Sequence, residues 1–281
     1  MTTKRTLTLA LFAICLSVFS LISCKKDSKA AADTDVESSE NNSMAETDYN
    51  DVTTMVDLSY SNGSNMTFRE NTGDNLLGAS CVTVTVDTAS STRTITIDFG
   101  TTNCTCLDGR KRRGKIIATW TGKYRDMGTV ISVTFNNYFV NDNQIAGTKT
   151  VTNNGVNASQ HPIYSVQVNG SITKANGGGT VTWNSTRQRE WVAGYTTPLN
   201  VLDDIYSITG SASGTVASGA SYTITITQAL VRKMNCYWFE SGKLDVTPQG
   251  KATRTLDYGN TGCDANATVT INNVTFPIIL Q

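Results

Sequence analysis

The segment WNSTRQREW, residues 183–191, holds the side chains whose types and spacing best suit ligand binding. On an extended strand alternate residues point to the same face, so the two tryptophans and two arginines would lie together. Indole rings can stack on sugar faces, and guanidinium groups can bind hydroxyls or carboxylates. The competing interpretation is structural, with the same residues forming a cation–π ladder across one face of a sheet. This candidate ligand face consists of Trp183, Arg187, Arg189 and Trp191.

Groups that could support catalysis are sparse. His161 is the single histidine, and it precedes Pro162 in an extended segment without a nucleophile elbow. Acid–base glycoside hydrolysis needs two carboxylates that face each other across a site. Carboxylates are available at Glu190, Asp203, Asp204 and Glu240, but their spacing predicts no arrangement. We therefore predict a protein that is not an enzyme, with a glycoside-type hydrolase as the remaining catalytic alternative.

A basic cluster follows a turn in the segment DGRKRRGK, residues 108–115. Such a cluster could bind phosphate or acidic sugars, including a lipopolysaccharide near a membrane. The alternative is a solvated hairpin tip, or a strand whose arginines lie along the sheet. Runs of charge are usually surface features, so we favour the solvated interpretation.

The amino terminus has the pattern of an export signal. Lys4 and Arg5 precede the apolar run LTLALFAICLSVFSLI, which is shorter than the roughly 20 residues of a membrane span. The ending, Leu21-Ile22-Ser23-Cys24, resembles the lipobox of bacterial lipoproteins. The resemblance implies cleavage of a signal peptide, residues 1–23, and a palmitate-bearing diacylglycerol anchor on Cys24. The alternative is an ordinary signal that is cleaved elsewhere, with Cys24 incidental.

Five cysteines remain beyond the anchor, in an exported chain where disulfides are favoured. TITIDFGTTNC, residues 94–104, resembles TRTLDYGNTGC, residues 253–263, and each copy has a cysteine upstream. This echo predicts the pairs Cys81–Cys104 and Cys236–Cys263, each worth about 3 kcal/mol. Cys106 would be the odd thiol, although Cys104 and Cys106 could exchange roles. One histidine and paired cysteines leave too few ligands for zinc, so no metal or cofactor is expected.

The elements that must position these residues are mostly strands. Residues 24–46 are polar and acidic, which predicts a flexible tether. Apolar side chains at three- and four-residue spacing then predict a short helix from Ala45 to Leu58, with a mobile continuation of the tether as the alternative. From Cys81 onward, aliphatic residues alternate with threonines, which is typical of antiparallel strands with one wet face. The predicted class is all-β: a large antiparallel meander over residues 47–281, as a curved sheet, a sandwich or a barrel-like form.

The segment from Cys81 to about Asn154 resembles β-rich envelope lipoproteins of Gram-negative bacteria, most of them of unknown function. This resemblance implies export and a β fold, and it supplies no catalytic residues. Lys25, rather than aspartate, follows the anchor, which favours the outer membrane, on its periplasmic or its exposed side. With 23 basic and 23 acidic side chains, no global field attracts nucleic acid. We therefore expect an anchored protein that binds a glycan or envelope component, or an accessory subunit that docks on another envelope protein, with the repeat suggesting two related halves.

Overall fold

The computed structural model describes residues 33–62, 81–197, 200–260 and 262–280. The predicted signal peptide and Cys24 lie outside these residues and stay predictions. Within the described ranges, no helix combines the length and the apolar character that a membrane crossing requires. Helix α1 runs from Glu37 to Asn62, and every regular element after it except short 3-10 turns is a strand.

The all-β prediction is confirmed, with the strands joined into one curved, unclosed antiparallel sheet. The strands are β1 (Thr83–Asp87), β2 (Arg93–Asp98), β3 (Cys104–Thr105), β4 (Lys111–Trp120), β5 (Val130–Val140), β6 (Asn143–Val156), β7 (Pro162–Thr173), β8 (Thr180–Ala193), β9 (Ile205–Thr215), β10 (Ser221–Lys233), β11 (Ser241–Pro248), β12 (Arg254–Asp257), β13 (Asn266–Ile271) and β14 (Val274–Ile279). Each pairs with its neighbours along the chain, except that β2 and β3 both pair with β4, at successive stretches of it. The sheet is therefore a meander, and β1 and β14 are its two edges.

Tight turns explain why the chain folds back so regularly. Asn141 and Asp142 both have positive φ, 48° and 67°, in the two-residue loop between β5 and β6. Asn272 and Asn273 repeat this geometry, 49° and 66°, between β13 and β14. Asparagine and aspartate tolerate this left-handed conformation, and two such residues form the turn whose twist matches flanking strands. These loops hold neighbouring strands in a fixed register.

Helix α1 lies against the inner face of the curved sheet, which we define as the face that contacts the helix. The helix is buried around most of its circumference, including Ala45, Tyr49 and Val52. The predicted helix therefore exists, but it is longer than the predicted span at both ends. Residues 37–46, which composition assigned to the tether, form its first turns and are mostly buried. That assignment was wrong for these residues, because Asn42 and Glu46 bond to side chains of β8, 141 residues away, which composition does not reveal.

Both predicted disulfides are present. Cys81 is bonded to Cys104, and Cys236 is bonded to Cys263. Cys106 is a buried free thiol, as predicted by the alternative in which Cys104 forms the disulfide. Because Cys104 is used in a disulfide, the Cys104-Thr105-Cys106 stretch cannot offer two thiolates to a metal.

The repeated motif has the same local structure in both copies. Asp98 at the end of β2 pairs with Lys115, and Asp257 at the end of β12 pairs with Lys243, both at 2.8 Å. Two residues after each aspartate, a glycine donates its N–H to the carboxylate at 2.9 Å. These glycines have φ of 79° and 77°. The copies lie near opposite ends of one continuous sheet, so they mark similar corners of a single body.

Candidate functional site

The candidate ligand face lies on β8, and its four side chains share the inner face of the sheet, as alternation predicted. Their exposed fractions are 2% for Trp183, 4% for Arg187, 6% for Arg189 and 4% for Trp191. Helix α1 covers this face, so the rings do not form an open platform for a sugar polymer. Arg187 lies 5.6 Å from the Trp183 ring, in the cation–π geometry of the structural interpretation. A ligand-binding role for the whole face stays a prediction, and it requires that a ligand reach these side chains by a route that α1 does not cover.

The first half of this face is occupied by residues of α1. The indole Nε1 of Trp183 donates to the Asn42 Oδ1 at 2.9 Å, and its ring stacks on Tyr49. Arg187 Nη2 donates to Glu46 Oε2 at 2.6 Å, with both side chains almost wholly buried. An ion pair that is shielded from water in this way is stable only when hydrogen bonds compensate for the lost hydration. These contacts attach the helix to the sheet.

The basic cluster after Asp108 is not a solvated tip, because two of its arginines point inward. Arg110 pairs with Asp48 at 2.8 Å and with Asp51 of the helix. Arg112 is fully buried and forms a two-bond pair with Asp108, with Nη2 to Oδ2 at 2.6 Å. Sequence reasoning missed this because each helical carboxylate lies about sixty residues away along the chain. Neither the phosphate-binding nor the solvated interpretation fits these two side chains.

Burial perturbs the pKa of one group on the helix, Asp48, and of one on the sheet beside it, Lys149. Desolvation raises the pKa of Asp48 to about 6, against the opposing charge of Arg110. Desolvation lowers the pKa of Lys149 to about 7, and its Nζ donates to the backbone oxygen of Tyr49 at 2.6 Å. Both groups sit at structural contacts between helix and sheet, which accounts for their shifts without a catalytic role.

A cavity opens beside the carboxyl-terminal part of α1, next to the second half of the candidate ligand face. Its volume is about 30 Å³, enough for a group of a few atoms and too small for a sugar ring. Two arginines and two acidic groups face it among several aromatic rings. The polar and aromatic lining includes Asp57, Tyr124, Arg125, Tyr164, Arg189, Trp191, Asp204 and Tyr206.

Asp204 is the most perturbed acid of this cavity. Desolvation raises its pKa to about 7, while hydrogen bonding by Tyr206 and Arg189's charge act in the other direction. The Tyr206 hydroxyl donates to Oδ2 at 3.1 Å. The Trp191 indole acts on the carboxyl as a weak donor, but it does not reach hydrogen-bond geometry. Within the described residues, Asp204 Oδ1 and Trp191 Nε1 thus have no hydrogen-bond partner.

The outer face of the sheet, which points away from α1, carries a second concave feature. A trough of about 720 Å³ crosses β6 to β10, and its outward side chains are uncharged throughout the described lining. Strand pairing aligns them in rows, with Gln167 opposite Thr186 and Asn169 opposite Asn184. The outward residues are Thr148, Thr150, Gln167, Asn169, Asn184, Thr186, Ser211, Ser213, Thr223 and Thr225. We call this surface the hydroxyl trough.

The groups considered for catalysis do not converge on one site: His161 and Glu190 contact each other, and the others have separate partners. His161 Nδ1 lies 2.8 Å from Glu190 Oε1. Lys233 pairs with Glu240 at 2.7 Å. Asp203 Oδ2 accepts from Thr197 Oγ1 at 2.8 Å and lies on the surface, whereas its neighbour Asp204 points into the cavity. The structure therefore does not join these carboxylates into one site.

Comparison with known proteins gives no relative for this chain: no protein-family model, no curated protein and no solved structure matches it. Function must therefore be inferred from the residues and their arrangement. The hydroxyl trough and the cavity beside α1 are two concave surfaces of the described residues that offer polar groups to a ligand.

Proposed function

We propose that this chain is a non-catalytic lipoprotein of the bacterial cell envelope that binds a glycan or a similar hydroxyl-rich component. The anchor is supported by the lipobox resemblance at Cys24 and by the export pattern before it. The binding role is supported above all by one observation, the uncharged hydroxyl trough on the outer face of the sheet.

The chemistry of the trough suits a neutral polysaccharide. Hydroxyl and amide side chains both donate and accept hydrogen bonds, as sugar hydroxyls do. Neighbouring strands place equivalent side chains about 4.8 Å apart, so the rows repeat across the sheet as sugars repeat along a chain. One row runs through Gln167, Thr186, Ser211 and Thr225 on successive strands. Several weak contacts in a line can hold a polymer that no single contact would hold.

Binding can be tested on a glycan array with a double variant, Thr186→Val with Thr223→Val, which removes two exposed hydroxyls and keeps side-chain shape. Each lost hydrogen bond is worth about 0.5–1.5 kcal/mol, so affinity for a trough ligand should fall about fivefold or more. The matched control is Thr83→Val with Thr85→Val, two outward residues of edge strand β1. Absence of any glycan ligand, or equal loss in both double variants, would remove the proposal.

The anchor has its own test, which does not depend on the ligand. Mass spectrometry of the mature protein should show residue 24 as the first residue, with diacylglycerol mass on its sulfur. A Cys24→Ser variant should leave the membrane fraction. A mature chain that begins elsewhere, or that carries no lipid, contradicts the envelope assignment.

A second candidate function, an accessory subunit, is favoured by the exposed edge of the sheet. Strand β14 carries Ile279 and Val274, which are 67% and 49% exposed. Edge strands with exposed apolar residues readily pair with other chains. Cross-linking from position 274 in envelope membranes should capture a partner protein if this role holds, and Ile279→Lys should abolish the cross-link.

A further inference from the structure

Arg189 is a buried cation whose hydrogen-bonding capacity is mostly unused. Its guanidinium lies over the Tyr206 ring, with Cζ 3.4 Å from the ring centre. Among the described residues, its nearest carboxylate oxygen is Asp57 Oδ2, at 3.7 Å. Its hydrogen bond within the same residues goes to the Met234 sulfur at 3.7 Å, which is a weak acceptor. A desolvated guanidinium normally has oxygen partners, so this one is arranged to receive another acceptor.

Two further buried polar atoms of the cavity lack a partner within the described chain. They are the Trp191 indole Nε1, a donor only, and Asp204 Oδ1. Both residues are more than nine-tenths buried and line the same cavity as Arg189. Leaving a buried polar group unsatisfied costs about 1–3 kcal/mol, so these two atoms, beside the weakly bonded guanidinium of Arg189, point to a bound polar group.

The neighbours of this cavity favour an anion of few atoms. Arg125, which is half-buried, lies over the Trp191 ring at 5.3 Å and adds a second positive charge. Asp57 accepts from Tyr124 at 2.7 Å and therefore already has a donor. The volume of about 30 Å³ admits a carboxylate but not a sugar ring, which would remain outside.

We propose that the cavity between helix α1 and strand β8 is a binding site for a carboxylate group. One carboxylate oxygen would accept from Arg189 and the other from Trp191 Nε1. In its protonated form, the Asp204 carboxyl would donate to the same ligand. The site lies on the inner face of the sheet and would bind a charged group, whereas the hydroxyl trough lies on the outer face and offers uncharged groups. The proposal is therefore independent of glycan binding in the trough. The carboxylate could belong to a small free acid or to an acidic sugar, and these sources are distinguishable.

The proposal is tested on the full mature lipoprotein in detergent by calorimetric titration with acetate, glucuronate and glucose. We expect glucuronate or acetate to bind and glucose not to bind at this site. Binding of both acids would identify the carboxylate alone as the ligand, and binding of glucuronate only would identify a sugar acid. No binding of either acid at millimolar concentrations, or equal binding of glucose, overturns the proposal.

Variants locate the site. Trp191→Phe keeps an aromatic ring, although a smaller one, and removes the N–H, so affinity for the acid should fall about tenfold or more, as expected for a lost hydrogen bond to a charged group. Arg125→Gln should weaken binding at low salt and reduce its salt dependence. The control Arg113→Gln removes an arginine that pairs with Asp142 on the surface. If Trp191→Phe and Arg125→Gln fold and bind the acid like the native protein, the assignment of this cavity is wrong. The Thr186→Val, Thr223→Val double variant changes only the hydroxyl trough and should leave acid binding unchanged.

Discussion

Replacing Glu46 by leucine should destabilise the protein severely, because it leaves a buried arginine without its counter-ion. Arg187 Nη2 lies 2.6 Å from Glu46 Oε2, and their side chains are only 3% and 1% exposed. Removing one partner of a buried ion pair costs about 3–5 kcal/mol. Whole domains have unfolding free energies of about 5–15 kcal/mol, so this one change would remove a large share.

The interaction free energy between Glu46 and Arg187 is best isolated by a double-mutant cycle. Arg187→Met alone leaves a buried carboxylate and should cost a similar amount. Glu46→Leu combined with Arg187→Met replaces both charges by apolar groups, so the double variant should be much more stable than the sum of the single losses predicts. The matched surface control is Arg113→Gln, whose ion pair with Asp142 is partly exposed and should be worth about 0–1 kcal/mol.

Urea unfolding followed by tryptophan fluorescence measures these free energies, since Trp183 stacks on Tyr49 beside the ion pair. A cost of less than about 1 kcal/mol for Glu46→Leu, the range of an exposed ion pair, would contradict a desolvated pair between Glu46 and Arg187. Such a result would mean that water reaches Arg187 and that α1 does not lie packed against the sheet.

Three further predictions address other parts of the fold. Cys236→Ser should lower the free energy of unfolding by about 2–5 kcal/mol through loss of the bond to Cys263, and reduction should then have a smaller effect than in the native protein. Gly170→Ala should cost about 1–3 kcal/mol, because the added Cβ would lie 2.0 Å from the Tyr49 hydroxyl; unchanged urea midpoints would contradict this contact. Burial raises the pKa of Asp204 to about 7, so the folded state holds a proton that the unfolded chain has already lost, and stability should fall as pH rises from about 4 to 7. Asp204→Asn should flatten this dependence in urea titrations across that range.

Several features could be predicted because they depend on neighbours in sequence. Alternation of aliphatic residues with threonines predicted the strands, since the side-chain period of an extended chain is two. It also placed Trp183 and Trp191 on one face. The repeated motif predicted both disulfides, because each copy brings a cysteine to the same corner beside its strand.

The partners of the charged residues could not be predicted in this way. Glu46 and Arg187 are 141 residues apart along the chain, and nothing in either local segment indicates the other. The polar composition of residues 37–46 therefore suggested a solvated tether, although these residues are helical and mostly buried. Asp204 and Arg189 were both named as candidates from the sequence, but their meeting in one cavity could not be predicted, for the same reason.

Strand periodicity and the repeated motif are sufficient to predict an all-β meander, its disulfides and which side chains share a face of each strand. They do not show that the sheet curves around α1, or that the helix covers the charged and aromatic face of β8. Alternation of aliphatic residues with threonines marks an apolar side, but β8 is polar on one side and charged and aromatic on the other. Sheet curvature and long-range ion pairing therefore decide which of its sides is buried.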